Sequence, residues 1–151
     1  MTKVNVGVCG LGRIGVKHCR CLAQDREHYA LTALCDLDGA RVAAMQAELG
    51  GRGYDDLDAF LADPGTELVI LATRSLDHAR HAGQALAAGK TVLLEKPIGV
   101  TAEDYRILQQ LVRRYPGRLF FGHNHRFEPA FENARAIVAQ GLIGNLHVIK
   151  L

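Results

Sequence analysis

The stretch Gly10-Leu11-Gly12-Arg13-Ile14-Gly15 decides the fold. It follows the apolar run Val4–Cys9, which is typical of a buried strand, and it opens a segment with helical periodicity. In a dinucleotide-binding βαβ unit, glycines at this spacing turn the chain at Gly10, bring the backbone close to a pyrophosphate at Gly12 and let helix and strand pack at Gly15. The first N–H groups of the helix, at Arg13 and Ile14, then face the anion. Glycine-rich turns are common, so the motif needs support from the rest of the chain.

Composition and charge narrow the class of protein. A chain of 151 residues with 48% hydrophobic residues is globular and long enough for a sizeable core. The formal net charge is +2, and the absence of a basic cluster with interleaved aromatics gives no reason to expect a nucleic-acid partner. The sequence contains neither eighteen consecutive apolar residues nor a signal-peptide pattern, so we expect no membrane partner and a cytoplasmic location.

The four cysteines all precede residue 36: Cys9 and Cys35 at the ends of predicted strands, Cys19 and Cys21 in the first predicted helix. Two positions apart on a helix, Cys19 and Cys21 point in different directions, and the chain has no Cys-x-x-Cys pair. We therefore interpret all four as reduced, packing cysteines.

Strands and helices alternate along the chain. Apolar runs predict six strands, and helical periodicity between them predicts five helices, with Asp38 as an N-cap and Gly50-Gly51 and Gly89 as stop signals. The predicted strands cover residues 4–8, 29–35, 53–54, 68–72, 91–94 and 118–121; the predicted helices cover residues 13–24, 38–49, 57–62, 76–88 and 102–115. This order predicts an α/β fold of the Rossmann type, a doubly wound parallel sheet.

Asp36 completes the dinucleotide fingerprint. It lies 21 positions after Gly15 and directly after the second predicted strand, where a carboxylate accepts hydrogen bonds from the ribose 2′- and 3′-hydroxyls. Its charge repels a 2′-phosphate, which favours NAD as the cofactor. Arg41, in the next helical turn, offsets part of that repulsion and leaves NADP open.

Three further segments carry a resemblance to a known family. They are Glu95-Lys96-Pro97 after the fifth strand, the stretch Thr73-Arg74-Ser75-Leu76-Asp77-His78-Ala79, and Gly122-His123-Asn124-His125-Arg126-Phe127-Glu128-Pro129. With the glycine motif and Asp36, this set resembles the glucose-fructose oxidoreductase / inositol dehydrogenase (Gfo/Idh/MocA) family over nearly the whole chain.

The resemblance implies hydride transfer between a nicotinamide cofactor and a hydroxyl-bearing carbon of a sugar, polyol or cyclitol. It implies that Lys96 is the catalytic residue and also a cofactor contact. An ammonium group suits this role, because it stabilises a developing alkoxide and burial lowers the pKa of a lysine toward neutrality. It implies further cofactor contacts from Glu95 near the nicotinamide ribose, from Asn124 on the next strand, and from Thr73 and His78.

One segment departs from the family pattern. His78 matches the histidine that closes the family's Thr-Pro-Asn-x-x-His motif, but Arg74 and Ser75 stand where that motif has proline and asparagine. The change puts a flexible cation near the cofactor and leaves the placement of the nicotinamide open. His78 with His81, and His123 with His125 on one face of a strand, have spacings that suit a metal, but no matching carboxylate accompanies them, and we expect no metal site.

The domain organisation is also read from the resemblance. We expect a dinucleotide-binding domain in residues 1–126, then a linking helix over residues 131–140, a turn at 141–144 and, over 146–151, the first strand of a substrate domain. In the family that second domain supplies an Asp-x-x-x-His acid/base pair and the contacts of a homo-oligomer. We therefore expect no complete catalytic site in this chain alone. The alternative is a stand-alone nucleotide-binding module without catalysis, which the unpaired edge of the 146–151 strand disfavours.

Overall fold

The structure, a computed structural model, describes residues 3–148. Six strands and six α-helices alternate along this part of the chain. The strands are β1 (Val4–Cys9), β2 (Tyr29–Cys35), β3 (Arg52–Tyr54), β4 (Leu68–Leu71), β5 (Thr91–Leu94) and β6 (Leu119–Phe121); the helices are α1 (Arg13–Gln24), α2 (Gly39–Leu49), α3 (Leu57–Leu61), α4 (His78–Ala87), α5 (Ala102–Arg114) and α6 (Pro129–Ala139).

All neighbouring strands of the sheet are parallel, in the order β3-β2-β1-β4-β5-β6. From β1 the chain winds outward first to β2 and β3 and then, after crossing back, to β4, β5 and β6. The order therefore reverses between β1 and β4, and a crevice opens at the carboxyl ends of these two strands. Doubly wound sheets bind their ligands at such a crevice, and the predicted fold class is confirmed.

The helices form where the sequence pattern predicts them. Helix α1 buries Gly15, Cys19 and Leu22, the three residues that share one face at helical spacing. Asp38 caps α2 by accepting a hydrogen bond from the Ala40 N–H, and Gly50, with a φ of 78°, ends that helix.

The core lies on both faces of the sheet. On one face, α1 and α2 cover strand residues such as Val8, Leu34 and Ile70. On the other, α3, α4 and α5 cover residues such as Leu71 and Leu94. The two layers fix the carboxyl ends of the central strands, and hence the loops that surround the crevice.

Two predicted segments differ from the structure. The helix predicted over residues 76–88 is divided in the structure into a 3-10 turn, Ser75–Asp77, and helix α4, which begins at His78. The division occurs because Asp77 accepts side-chain hydrogen bonds from Arg74 and Arg80, which lie on either side of the junction. His123 and His125 do not share a strand face, because β6 ends at Phe121 and a 3-10 turn covers Asn124–Phe127.

Beyond β6 the chain packs loosely. Every described residue from His123 to Val148 is exposed, including those of α6. The strand expected over residues 146–151 is not formed at 146–148, and its remaining residues lie outside the described part of the chain. Within residues 3–148, the helices are too short or too polar for any of them to cross a bilayer.

Candidate functional site

Gly10 makes the turn that opens the site. Its φ is +91°, and a Cβ at this position would lie 2.6 Å from the carbonyl carbon and oxygen of Ala72. Neighbouring backbone bonds hold the turn, because the Gly10 N–H donates to Cys35 O at 2.8 Å and the Ala72 N–H donates to Cys9 O at 2.8 Å. The close approach of the β1 and β4 loops therefore requires a glycine.

Gly12 faces open space at the start of α1. A Cβ added there would meet no atom within 4 Å, and within residues 3–148 no side chain caps the helix. The N–H groups of Arg13 and Ile14, in the first turn, thus have no partner within the helix. Free N–H groups at a helix start, beside a glycine that leaves the backbone accessible, bind anions such as a pyrophosphate.

Gly15 joins helix and strand closely. A Cβ at this residue would collide with the carbonyl oxygen of Gly10. Each of the three glycines therefore has the environment that the motif predicts: a left-handed turn at Gly10, an open approach at Gly12 and a tight contact at Gly15.

The Asp36 carboxylate lies across the glycine loop. Its Oδ2 accepts a hydrogen bond from the Leu11 N–H at 2.6 Å, and its Oδ1 accepts one from the Asp38 N–H at 2.9 Å. The nearest guanidinium belongs to Arg41, with Nη1 3.9 Å from Asp36 Oδ2 and Nε 3.2 Å from Asp38 Oδ2. Asp36 is thus fixed at the end of β2, while Arg41 is shared between two carboxylates.

A cavity of about 560 Å³ occupies the crevice beside Asp36. It is bounded by the loops that follow β1, β2 and β4 and by parts of α3 and α4. Of the predicted site residues it includes Gly10, Gly12, Asp36 and Thr73. Sequence reasoning placed Arg41 and Arg74 near the cofactor but missed the other charged and polar residues of the wall; among them are Asp77, Arg80 and His81.

Asp77 organises two guanidinium groups at this cavity. Its Oδ2 lies 3.0 Å from Arg74 Nη2, and its Oδ1 lies 2.8 Å from Arg80 Nη2. The hydrogen bond from Arg80, assisted by that from Arg74, holds the pKa of Asp77 below its ordinary value. Arg74, one of the two residues that depart from the family motif, therefore lies at the cavity paired with a carboxylate rather than as a free cation.

Thr73, in the loop after β4, forms a hydrogen bond with a histidine in the first turn of α4. Its Oγ1 lies 3.0 Å from His81 Nδ1, and both residues line the cavity. Burial, with a smaller contribution from the nearby Arg80 charge, lowers the pKa of His81 below its ordinary value of 6.5. A neutral imidazole therefore contributes a polar surface to the cavity without adding charge at neutral pH.

Glu95 and Lys96 stand at the end of β5, outside the cavity wall. Glu95 Oε1 lies 2.8 Å from His18 Nε2, and Oε2 accepts the Lys96 N–H at 3.0 Å. A Cβ on Gly122 would come within 3.2 Å of Glu95 Oε1, so this glycine leaves room for the carboxylate. The Lys96 side chain is exposed, and the Lys96-Pro97 peptide bond is cis.

His18 is a site residue that sequence reasoning missed. It lies three positions after Gly15 and four before Leu22, on the side of α1 that faces the sheet. A polar residue beside a buried helix face was the available signal, because such a residue needs a partner. That partner, Glu95, is distant in sequence and becomes evident only in the fold.

His78 and Asn124 are not part of the cavity wall. The His78 ring is 1% exposed, with Nδ1 2.7 Å from Pro97 O and Nε2 3.1 Å from Thr73 O. It therefore contacts the two loops that follow β4 and β5. Asn124 begins the 3-10 turn after β6 and is exposed, so the prediction that it projects from a strand is wrong.

Comparison with known families and proteins agrees with this geometry. Residues 4–123 match the family described as an oxidoreductase family with an NAD-binding Rossmann fold, GFO_IDH_MocA. The chain is 32% identical over 152 residues to the rhizopine catabolism protein MocA of Rhizobium meliloti, which covers 99% of this chain and 46% of that protein. It is 29% identical to myo-inositol 2-dehydrogenase of Thermotoga maritima, with 98% of this chain and 44% of that protein covered.

A solved structure shows the same architecture. The chain superimposes on scyllo-inositol dehydrogenase from Lactobacillus casei, crystallised with NAD(H) and scyllo-inositol, with a TM-score of 0.90 and 29% identity. The match covers 95% of this chain and 43% of that one. The chain thus spans less than half the length of these relatives.

Proposed function

The chain belongs to the Gfo/Idh/MocA oxidoreductase family, whose fold is an NAD-binding Rossmann fold, and from that premise we propose that it holds NAD for hydride transfer to or from a hydroxyl-bearing carbon of a small molecule. The observation that carries the proposal is the pairing of Gly12 with Asp36. An open, uncapped helix start lies beside a fixed carboxylate at the end of β2. The helix start suits a pyrophosphate, and the carboxylate suits the two hydroxyls of a ribose.

The cofactor roles follow from position. Gly10 and Gly15 shape the loop, the Arg13 and Ile14 N–H groups bind the pyrophosphate, and Asp36 binds the adenosine ribose. Thr73 lines the cavity beside the Gly10 turn, and Glu95 with Asn124 serves the nicotinamide half. NAD is favoured over NADP, because Asp36 repels a 2′-phosphate and Arg41 is already shared between Asp36 and Asp38.

The substrate class is a polyol, cyclitol or sugar. Relatives with about 30% identity are inositol dehydrogenases, and one was crystallised with scyllo-inositol. The nicotinamide ring supplies the hydride acceptor when the cofactor is bound. Lys96, exposed at the end of β5, is the residue that contacts the reacting hydroxyl: its ammonium stabilises the developing alkoxide, and its amine form accepts the proton.

The domain division is part of the proposal. Residues 1–126 form the cofactor domain, and residues 127–151 lead into a substrate domain. The match to the family ends at residue 123, and every described residue after Gly122 is exposed, as expected for a segment that packs on something else. The four free cysteines fit a reducing compartment, and we propose a cytoplasmic location.

Titration of the 151-residue chain with NAD and NADP tests the cofactor assignment. Calorimetry is expected to give a tighter dissociation constant for NAD. Amide resonances of residues 10–15 and 36 are expected to shift in proportion to bound NAD. Absence of binding, or shifts confined to other loops, contradicts the proposal.

The substrate class is tested by nicotinamide reduction with a panel of cyclitols, assayed in a protein that contains this domain and a substrate domain. In that protein, Lys96→Met is expected to abolish turnover while keeping NAD binding.

A further inference from the structure

The turn that carries Lys96 leaves the sheet abruptly. The Glu95 N–H still donates to Leu71 O of β4 at 3.0 Å, and the chain then turns away through Lys96 and Pro97. Proline has no N–H, so the turn can be anchored by a backbone hydrogen bond at Pro97 only through its carbonyl oxygen. That oxygen accepts from His78 Nδ1 at 2.7 Å.

His78 is suited to hold this carbonyl. It is the first residue of α4, it is 1% exposed, and its other ring nitrogen lies 3.1 Å from Thr73 O at the end of β4. Both partners are carbonyl oxygens, which only accept hydrogen bonds. The contact with Pro97 is the shorter of the two, and we therefore assign the ring proton to Nδ1. The ring thereby links the loops that follow two neighbouring strands.

We propose that His78 is a positioning residue for Lys96. By donating from Nδ1 to Pro97 O, it fixes the backbone of the Lys96-Pro97 turn and so the point from which the Lys96 side chain enters the site. The role of Lys96 rests on the proposed function, whereas the hydrogen bond and its effect on the turn do not. His78 is thus assigned a place beneath the cofactor loops and no contact with the cofactor itself.

Two amide substitutions separate the two ring contacts. The Asn amide nitrogen takes the place of Nδ1, and the Gln amide nitrogen takes the place of Nε2. His78→Asn therefore keeps the donor to Pro97 O, and His78→Gln keeps only the contact with Thr73 O. His28→Asn is the matched control, because His28 is exposed in the loop between α1 and β2 and pairs with Asp25.

The first readout is the mobility of the turn, measured by amide relaxation without cofactor. The Lys96 amide is expected to have an order parameter of about 0.85 in the unmodified chain, in His78→Asn and in His28→Asn, and below about 0.6 in His78→Gln. On addition of NAD, the Lys96 Cε–Hε resonance is expected to shift in the first three proteins and to lose that shift in His78→Gln. Equal order and equal shifts in folded His78→Gln and His78→Asn would overturn the proposal.

The second readout needs no substitution. Long-range proton–nitrogen spectra of the unmodified chain report which ring nitrogen carries a proton, and the expected result is a protonated Nδ1 in His78. A His78 ring without a proton on Nδ1 overturns the proposal even if both variants fail to fold. A chain that binds no NAD, but shows the protonated Nδ1 and the difference in order parameter, would contradict the proposed function and leave the positioning role intact.

Discussion

Asp36 Oδ2 lies 2.6 Å from the Leu11 nitrogen, so the carboxylate at the end of β2 accepts a hydrogen bond from the middle of the glycine loop. The residue predicted to recognise the ribose therefore also holds the loop that contacts the pyrophosphate. Leu11 is 2% exposed, which makes its N–H costly to leave without an acceptor.

Asp36→Ala is expected to weaken NAD binding about 10- to 100-fold, because a charged acceptor contributes roughly 1.5–3 kcal/mol. It is also expected to lower the free energy of unfolding by roughly 1–3 kcal/mol through the unpaired Leu11 N–H. Calorimetry and urea denaturation measure the two effects. An Asp36→Ala chain that binds NAD as well as the unmodified chain would exclude Asp36 as the ribose contact.

The same substitution tests cofactor choice. Without the carboxylate, the repulsion of a 2′-phosphate is removed, while Arg41 stays beside the site with its closer partner, Asp38 Oδ2, at 3.2 Å. The preference for NAD over NADP is expected to fall at least tenfold, about 1.4 kcal/mol. Asp38→Asn is the control, since its amide oxygen still accepts the Ala40 N–H, and it is expected to bind NAD within about twofold of the unmodified chain. A similar loss of preference in Asp38→Asn would mean that the effect comes from the loss of a negative charge near the site and not from the Asp36 carboxylate itself.

Alanine substitutions at Gly12 and Gly15 should affect different properties: NAD binding at Gly12 and the free energy of unfolding at Gly15. Gly12→Ala places a methyl group in open space, so the free energy of unfolding should fall by at most about 1 kcal/mol, while the methyl group obstructs the pyrophosphate and NAD binding drops at least tenfold. Gly15→Ala collides with Gly10 O, and the free energy of unfolding should fall by roughly 1–3 kcal/mol or more. Thermal melts with and without NAD separate the two. Strong destabilisation by Gly12→Ala would contradict an open approach.

The stability of the chain should depend on His81 below neutral pH. Burial lowers the pKa of His81, so in this pH range the unfolded chain takes up a proton more readily than the folded chain. The contribution is fully present above the ordinary value of 6.5 and is lost as pH falls below it. His81→Asn keeps a polar atom near the position of Nδ1 without titrating, and its melting temperature should fall less between pH 7 and pH 5.5. Parallel curves for the two proteins would exclude His81 as the source.

Much of the fold is readable from the sequence, because it depends on short-range patterns. The bounds of α1 and β2 agree with the prediction to the residue, since apolar periodicity marks them locally. The junction before His78 is not readable in this way. There the start of α4 depends on Asp77, whose carboxylate binds Arg74 and Arg80 instead of capping the helix.

The candidate site likewise combines residues that local sequence patterns identify with residues that only the fold brings together. The glycines and Asp36 were identified because their chemistry is carried by local spacing. His18 was missed because its partner, Glu95, is 77 residues away. The resemblance implies a cofactor contact for His78 from a motif match alone, and its burial against the loops after β4 and β5 becomes evident only with those strands in place.

Asp77→Asn should change how strongly the cavity attracts anions. The carboxylate holds Arg74 and Arg80 at 3.0 and 2.8 Å and offsets part of their charge. An amide keeps the size of the side chain but leaves both guanidinium groups uncompensated, so NADP, with its additional phosphate, should gain more affinity than NAD. We expect a gain of about 3- to 10-fold for NADP at low salt. The gain should fade as ionic strength approaches 0.5 M, because screening weakens the attraction between charges near the surface.

Asp25→Asn, at the end of α1, is the control for Asp77→Asn and should leave the affinities for NAD and NADP unchanged. Unchanged NADP binding in Asp77→Asn at low salt would mean that the two arginines do not reach the ligand.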